Sequence, residues 1–473
     1  MKNKLTAVAM LATLLGVAGA IVVGGRLLEL YTAYAAKTTC SGVFVSGREV
    51  DEVLSHDFVP DGDPLFVLAS WLDVSVDVYR KRGRVNAHVA GRFARAAQHS
   101  PGFGCTLMHA RGGEVEQAIA APRADDSSPK RTRAEVGSRP AADSLPVRPD
   151  SKFANSKFDD VLDWAFAEPR AGPPRRTRAV VVLHEGAIVA ERYAAPFDED
   201  TPLMGWSMTK SVFNALVGRL VHQGRLDLDA EIDVSTWAQG PGSAPAVTYR
   251  HLLTMSAGNA FDETHLNPYS DVIQMLLFEP AAGAYAAGVG YPSEPGTQWR
   301  YASADTNILS LALRRHLGDD EAYWSWPRRA LFGPLGMSSA VIERDASGSF
   351  VGSSFMLATA RDWARLGQLY VQDGVWHGQR LLPEGWVELS RTPGASNAGG
   401  IYGAHFWLRA RPSALGSNAT STGLPDALHA VGHDQQYLSI VPSKALVAVR
   451  LGLTRNTDGW KQSEFLQRIV ERL

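Results

Sequence analysis

The chain has 473 residues, 45% of them hydrophobic and 20% charged, with a formal net charge of −2. That length accommodates two or three folded units around a large core, and the near-neutral balance without an extended basic run argues against a nucleic-acid partner. The two cysteines have no histidine clustered beside them, so they do not make a zinc site. No phosphate-binding glycine loop occurs either, and neither metal nor cofactor is expected.

Lys2 and Lys4 precede an uncharged run from Leu5 to Gly24, which Arg26 ends. A run of this length can cross a bilayer core. A cleaved secretory signal has a shorter apolar region with a small-residue site close behind it. Here Ala33-Tyr34-Ala35 lies far past the run, and Ala18-Gly19-Ala20 would cut inside it. Residues 1–36 therefore read as an uncleaved membrane anchor, with a cleaved signal as the alternative. Either way the lysines stay inside and the rest is exported, which places the protein in the periplasm, held at the inner membrane.

Residues 37–115 read as a small exported module. In "VSVDVYRKRGRVNAHV", from Val74, valine alternates with polar residues on both sides of a charged turn, which predicts a hairpin. The cluster Arg80, Lys81, Arg82 and Arg84 around Gly83 is then its solvated tip. In an oxidising compartment Cys40 and Cys105 are expected to form a disulfide. Closing a loop of that length contributes about 4 kcal/mol, mainly through the unfolded state. From about Ala121 to Asp150 the chain turns rich in Pro, Ser, Arg and Asp and poor in large apolar residues. That is linker chemistry, assigned to 116–154.

A longer unit spans 155–473. "FDDVLDWAFAEP" reads as a helix that Pro169 stops, and "AVVVLHEGAIVAERY" as two strands around Glu185-Gly186. At the far end "YLSIVPSKALVAVRLG" reads as a hairpin turning at Pro442-Ser443. "SEFLQRIVERL" reads as a closing helix with Phe465, Leu466, Ile469, Val470 and Leu473 on one face. Strands at both ends with mainly helical material between them predict a mixed α/β chain of the α+β kind. One antiparallel sheet is built from both termini, beside a helical lobe, and the cleft between the lobes is a usual place for a site.

"GWSMTKSVFNALVG", from Gly205, carries the chemistry. Val212, Phe213, Leu216, Val217, Leu220 and Val221 recur at helical spacing, and Gly224 follows as a stop. Ser207 sits at the start of that helix, where unpaired N–H groups favour negative charge. Lys210 lies one turn on, on nearly the same face. A serine hydroxyl needs a partner to take its proton. A lysine can do so as the neutral amine, or stay charged and support a tyrosine that does. The bland alternative is a serine cap followed by a surface lysine. The other Ser-x-x-Lys match, at Ser127, falls in the linker. Of the four Tyr-x-Ser matches, at Tyr291, Tyr301, Tyr323 and Tyr437, Tyr301 has the best setting: a Pro-Gly turn before it and a helix after it.

In order, Ser207-Met208-Thr209-Lys210, Tyr301-Ala302-Ser303 and "AVGHDQQYLSIVPSKALVAVRLG" resemble the three motifs of the serine beta-lactamase and penicillin-binding superfamily. The branch resembled is the class C-like hydrolases, which include esterases and 6-aminohexanoate-dimer hydrolases. "HLLTMSAG" at His251, "FGPLGM" at Phe332 and "TARDWARLGQLYVQDG" at Thr359 support the likeness, which covers 155–473. The resemblance implies a two-lobed fold with Ser207 as acylated nucleophile and Lys210 as its proton partner. Tyr301 is then base in acylation and acid for the leaving group, and Ser303 supports the tyrosine and the substrate. It further implies an oxyanion hole from the backbone N–H groups of Ser207 and, by the family's offset, Gln436. His433 takes the place of a lysine or histidine that orients substrate or supports Tyr301. Asn259, with Asp262 and Glu263, belongs to a loop that borders the substrate in relatives. The chain departs from the pattern at Gln435, which puts a side chain where relatives have glycine.

Other classes fit less well. "GWSMT" lacks the second glycine of a Gly-x-Ser-x-Gly elbow, and no His-Glu-x-x-His occurs. The expected function is an exported serine hydrolase acting on a small amide or ester. The alternatives are a D,D-carboxypeptidase or true beta-lactamase, disfavoured by His433 in place of lysine, and a catalytically silent interaction protein, disfavoured by the intact Ser-Lys-Tyr set.

Overall fold

The structure is a computed structural model. It describes residues 24–59, 67, 74–89, 92–109, 145–148, 157–232, 246–265, 267–397, 399–409 and 424–473. The chain enters as a helix over 24–44 (α1), followed by Val50–Asp57 (α2) and a four-stranded antiparallel meander. Its strands are Val74–Tyr79 (β1), Arg84–Val89 (β2), Arg92–Ser100 (β3) and Gly104–Met108 (β4). The alternating stretch forms the expected hairpin. Its turn closes on Gly83 in the left-handed region, φ 59°, and Arg80, Lys81 and Arg82 at the tip are exposed.

α1 is buried because it packs on two partners. Leu30, Tyr31, Ala33, Ala36 and Cys40 join Val85, Ala87, Ala97 and Leu107 of the meander in one core, and Leu277 and Phe278 of the larger unit complete it. Cys40 is disulfide-bonded to Cys105 on β4, with the Cα atoms 6.0 Å apart. The expected division at 36/37 falls within this continuous helix, and so does Ala33-Tyr34-Ala35, whose two alanines are buried. Among the described residues no helix is long and apolar enough to cross a membrane. The apolar run from Leu5 lies outside the described residues except for Gly24, as does most of the linker. Its segment 145–148 is an exception. Leu145 is buried, and Val147 bridges Ile188 in parallel, at the edge of the sheet described next.

The larger unit begins with Asp159–Phe166 (α3), then Thr177–His184 (β5) and Ala187–Tyr193 (β6). Three long helices of the middle region follow: Thr209–His222 (α4), Ser303–Leu317 (α5) and Ala360–Val371 (α6). Leu428–Gly432 (β7), Gln436–Val441 (β8), Leu446–Gly452 (β9) and Gln462–Val470 (α7) close the chain. One antiparallel sheet, ordered β7-β8-β9-β5-β6, joins the two ends of the unit. Side chains alternate between its faces. Ala179, Val181 and Leu183 join the core containing α6, whereas Val180 and Val182 join Phe158, Leu162, Phe465 and Ile469 of α3 and α7. Because both faces are covered, the strands read as continuous apolar runs. Gly367 lets α6 lie flat on the sheet, since a Cβ there would stand 2.6 Å from Val447. The terminal helix departs from expectation at Leu473, which lies past its end and is exposed.

The N-terminal elements dock through buried charge. The Glu343 carboxylate, fully buried, accepts from Lys37 Nζ, from Ser41 Oγ at 2.8 Å and from the Cys105 N–H at 2.7 Å. Asp57 accepts from Arg48 at 2.7 Å and from Arg178 on β5. Burial works to raise the Asp57 pKa, but Arg178 and Arg48 outweigh it and hold the carboxyl below its usual range. Removing one partner of a buried pair strands the other charge, at about 3–5 kcal/mol. Glu343→Ala is therefore expected to lower the unfolding free energy by about that much, and adding Lys37→Met is expected to recover most of the loss. Urea denaturation of the three proteins checks both.

Candidate active site

The two-residue strand Leu203–Met204 leads through Gly205 into a 3-10 turn, Trp206–Met208, which runs directly into α4. Ser207 sits in this turn, one step ahead of the helix proper. Two features force the turn into place. A Cβ on Gly205 would stand 2.3 Å from the Trp363 ring, so only glycine fits. Trp206 adopts φ 50°, a conformation that costs a non-glycine residue roughly 1–3 kcal/mol. Its ring is fixed by packing against Tyr34 of α1, Phe355 and His433, with centroids 6.5, 6.0 and 5.5 Å away.

Lys210, one turn into the helix, is 1% exposed. Its Nζ donates to Ser207 Oγ at 3.0 Å, Ser303 Oγ at 3.2 Å and the Ser353 carbonyl at 2.9 Å. Three acceptors match the three N–H bonds of an ammonium. The same Nζ lies over the Tyr301 ring, 5.0 Å from its centroid. Tyr301 packs against Tyr402 and Trp407, at 5.6 and 5.2 Å, which fixes its plane. Ser207, Lys210, Tyr301 and Ser303 thus meet in one place, although Tyr301 and Ser303 enter from the start of α5.

The loop around Asn259 also meets this cluster. Glu263 accepts from both the N–H and the Oγ of Ser303, each at 2.7 Å, so the carboxylate reaches Lys210 through one hydroxyl. Asn259 is buried, and its Nδ2 donates to Asp305. Asp305 also accepts the Ala257 N–H at 3.4 Å. Burial raises the Asp305 pKa to about 7, with Asn259 and the Ala257 N–H acting against it. Asn259 is therefore a partner of this buried acid. Glu263 and the Ser353 carbonyl are contacts of this cluster that motif spacing does not reveal; a carbonyl leaves no trace in side-chain identity.

The third motif is a three-residue turn, His433–Gln435, between β7 and β8, with Asp434 at φ 56° and Gln435 at φ 62°. Gln435 thus takes the backbone conformation that favours glycine. Its side chain turns aside to accept the Tyr437 hydroxyl at 3.1 Å. On the outer edge of β7, His429 and Trp407 exchange both backbone hydrogen bonds, at 2.8 and 2.9 Å. Backbone groups alternate sides along a strand, so Gly432 faces inward and pairs with Gln436. The Gln436 N–H, the expected oxyanion donor, is thereby spent inside the hairpin. The N–H that the alternation turns outward is that of His433. Gly432 lies directly against the nucleophile turn, where a Cβ would stand 2.1 Å from the Gly205 carbonyl oxygen. The His433 side chain is half exposed, and its ring meets Trp206 and His265.

The family model described as Beta-lactamase matches residues 165–464. The chain belongs to the beta-lactamase family. It is 25% identical over 397 residues to a 6-aminohexanoate-dimer hydrolase of Paenarthrobacter ureafaciens, covering 69% of this chain and 99% of that protein. It is 29% identical over 193 residues to Esterase EstB of Burkholderia gladioli, covering 36% and 47% respectively. Among solved structures, a putative 6-aminohexanoate-dimer hydrolase from Bacillus anthracis superimposes with a TM-score of 0.52 at 19% identity, over 70% of this chain and 87% of that one. A family VIII carboxylesterase gives 0.51 at 17%, over 70% and 99%. This beta-lactamase family member is a hydrolase by these relationships, with the matched span holding Ser207, Lys210, Tyr301, Ser303 and the His433–Gln435 turn. The disulfide-bonded α1 and the β1–β4 meander lie outside that span.

Two outcomes follow from this geometry. Gly432→Ala must push β7 off the Ser207 turn. A displacement near 1 Å at a reacting centre costs on the order of 10²-fold in rate, so the labelling rate of Ser207 by a fluorophosphonate is expected to fall by about that factor. Asp305, with a folded pKa near 7 against 3.8 unfolded, binds its proton more tightly when folded. Stability therefore falls as pH rises through that window, and the cost is complete above pH 7. Asp305→Asn removes the cost, so its gain in Tm is expected to be larger at pH 8 than at pH 5, as scanning calorimetry at the two pH values would show.

Proposed function

We propose that the protein is an exported serine hydrolase that cleaves a small amide or ester through a covalent acyl-enzyme on Ser207. The observation that carries this is the buried Lys210 Nζ, 3.0 Å from Ser207 Oγ and 5.0 Å from the centre of the Tyr301 ring. Because Lys210 donates to Ser207 Oγ, the serine's own hydrogen is free to leave. Tyr301, acting as general base with support from Lys210, takes it as Oγ attacks the substrate carbonyl carbon. The resulting oxyanion lies between the N–H groups of Ser207 and His433. Collapse breaks the bond to the amine or alcohol, which departs with the proton carried by Tyr301. Water then cleaves the acyl ester and restores Ser207. Each N–H of such a hole is worth roughly 10²–10³ in turnover.

The substrate class rests on three supports. The relatives named above are amide and ester hydrolases. The half-exposed His433 ring stands beside Trp206 at the turn, a side chain that can hydrogen-bond a neutral carbonyl as well as an anion. Aromatic rings stand beside the cluster, Trp206 next to Ser207 in the chain and Tyr301 with its centroid 5.0 Å from Lys210 Nζ, and suit an uncharged acyl chain. Export is supported by the Cys40–Cys105 disulfide, since such bonds persist in oxidising compartments, and by the apolar N-terminal run.

A fluorophosphonate is expected to label wild-type protein at Ser207 and to leave Ser207→Ala unlabelled. Lys210→Met is expected to keep its fold and lose about 10³-fold in kcat on p-nitrophenyl butyrate, in the range of general acid–base effects. Nitrocefin is expected to turn over slowly or not at all. Nitrocefin turnover faster than that of the ester would assign the site to beta-lactams.

A further inference from the structure

Arg450 lies on β9, wholly buried, on the far side of the His433–Gln435 turn from the cleft. Among the described residues no carboxylate hydrogen-bonds to it. One guanidinium nitrogen donates to the Gln435 carbonyl at 2.8 Å and the Asp434 carbonyl at 3.4 Å. A second donates to the Arg175 carbonyl and to Thr454 Oγ1, both at 2.6 Å, and to Thr177 Oγ1 at 3.2 Å, and Nε donates to Thr177 Oγ1 at 3.4 Å. The group lies over the Trp460 ring, 4.6 Å from its centroid. Gly452 leaves room for it, since a Cβ there would stand 2.3 Å from the guanidinium. Burial pushes its pKa down to about 9, so it is still a cation at neutral pH. An ion buried this way costs several kcal/mol even after relaxation, and an apolar side chain would fill the space at lower cost. Stability alone does not account for a cation here.

Its connections do. In a trans peptide the C=O and the N–H point in opposite directions across one plane. The Gln435 carbonyl points at Arg450, so the Gln436 N–H of the same plane points toward β7 and pairs with Gly432. The Gly432 carbonyl faces that N–H, so the His433 N–H of the next plane points outward. Hydrogen bonds in series polarise one another. We propose that Arg450 is a positioning residue for the oxyanion hole, fixing and polarising the His433 N–H through the Gln435–Gln436 and Gly432–His433 peptides. The inference rests on the acyl-enzyme reading above and adds a residue that lies behind the sheet, out of reach of substrate. The strain in the turn fits the same role. Two consecutive non-glycine residues in the left-handed region persist only where the surroundings over-determine them. Here the Asp434 carbonyl is held by the Thr454 N–H at 3.1 Å and Gln436 Nε2 at 3.2 Å as well.

The test compares wild type, Arg450→Met and Arg450→Lys in the full chain. Three readouts are used: kcat and KM on p-nitrophenyl butyrate, the fluorophosphonate labelling rate, and inhibition by an alkyl boronic acid, which forms a tetrahedral adduct on serine. Arg450→Met is expected to lose at least tenfold in kcat and labelling rate and to bind the boronic acid at least tenfold more weakly, with KM within twofold. Arg450→Lys, which keeps the charge without the fork, is expected to fall between. A merely structural role would lower Tm without this split between KM and tetrahedral affinity. If Arg450→Met does not fold, Arg450→Lys carries the test alone. A folded variant with kcat and boronate affinity within twofold of wild type overturns the proposal. A wild type that does not label at Ser207 overturns the acyl-enzyme reading, and the proposal with it.

Discussion

The candidate active site depends on a single lysine side chain placed where water is largely excluded. Lys210 Nζ ties together three stretches of chain: the turn of Ser207 on its own helix, the head of α5 through Ser303, and the backbone at Ser353. A buried lysine without three good acceptors would shed its proton or refuse burial. These acceptors are what make the site possible, and each also fixes a piece of machinery. The carboxylate of Glu263 completes the balance, because it reaches the ammonium through the Ser303 hydroxyl without closing the face on which Tyr301 lies.

Around this centre the backbone departs from low-energy conformations in a narrow region. Trp206, Asp434 and Gln435 all adopt positive φ, and the residues between or beside them meet at the Gly205–Gly432 contact. Each departure is opposed by nearby packing or hydrogen bonding: the ring of Trp206 by Tyr34 and Phe355, the turn by Gln436, Thr454 and Arg450. Local preference and global structure disagree here and agree along the strands and helices nearby. That is the pattern expected where geometry serves chemistry.

Much of this was legible in the sequence, for reasons that are local. The sheet strands announce themselves by apolar runs ending at Glu185-Gly186 and Pro442-Ser443, and α4 by its helical period and Gly224. Ser207, Lys210, Tyr301 and Ser303 could be picked out because the chemistry needs those side chains at those spacings. What could not be read depends on direction. Counting from the third motif selected Gln436 as oxyanion donor. The count assumes a continuous strand, but a three-residue turn at His433–Gln435 reverses which N–H faces the cleft. Likewise the resemblance placed Asn259 on a loop that borders substrate in relatives, and only the fold shows that its amide also holds Asp305. The Ser353 carbonyl that Lys210 meets and the Gln435 carbonyl that Arg450 meets are backbone oxygens, which every residue possesses.

In the N-terminal region composition gives the parts and leaves open how they dock. A hairpin with a charged tip, a cysteine pair and a polar stretch after it read as a small module followed by a linker. The physical contacts describe something more integrated. α1 donates Lys37 and Ser41 to Glu343 and lays Tyr34 along Trp206, the residue before the nucleophile, while α2 places Asp57 between Arg48 and Arg178. Trp206 is held in a strained conformation by rings on several sides, one of which comes from α1. The disulfide joins that helix to the meander behind it, so the constraint on Trp206 extends through covalent structure to β4. A segment outside the span shared with the family therefore supports the turn on which the family's chemistry depends.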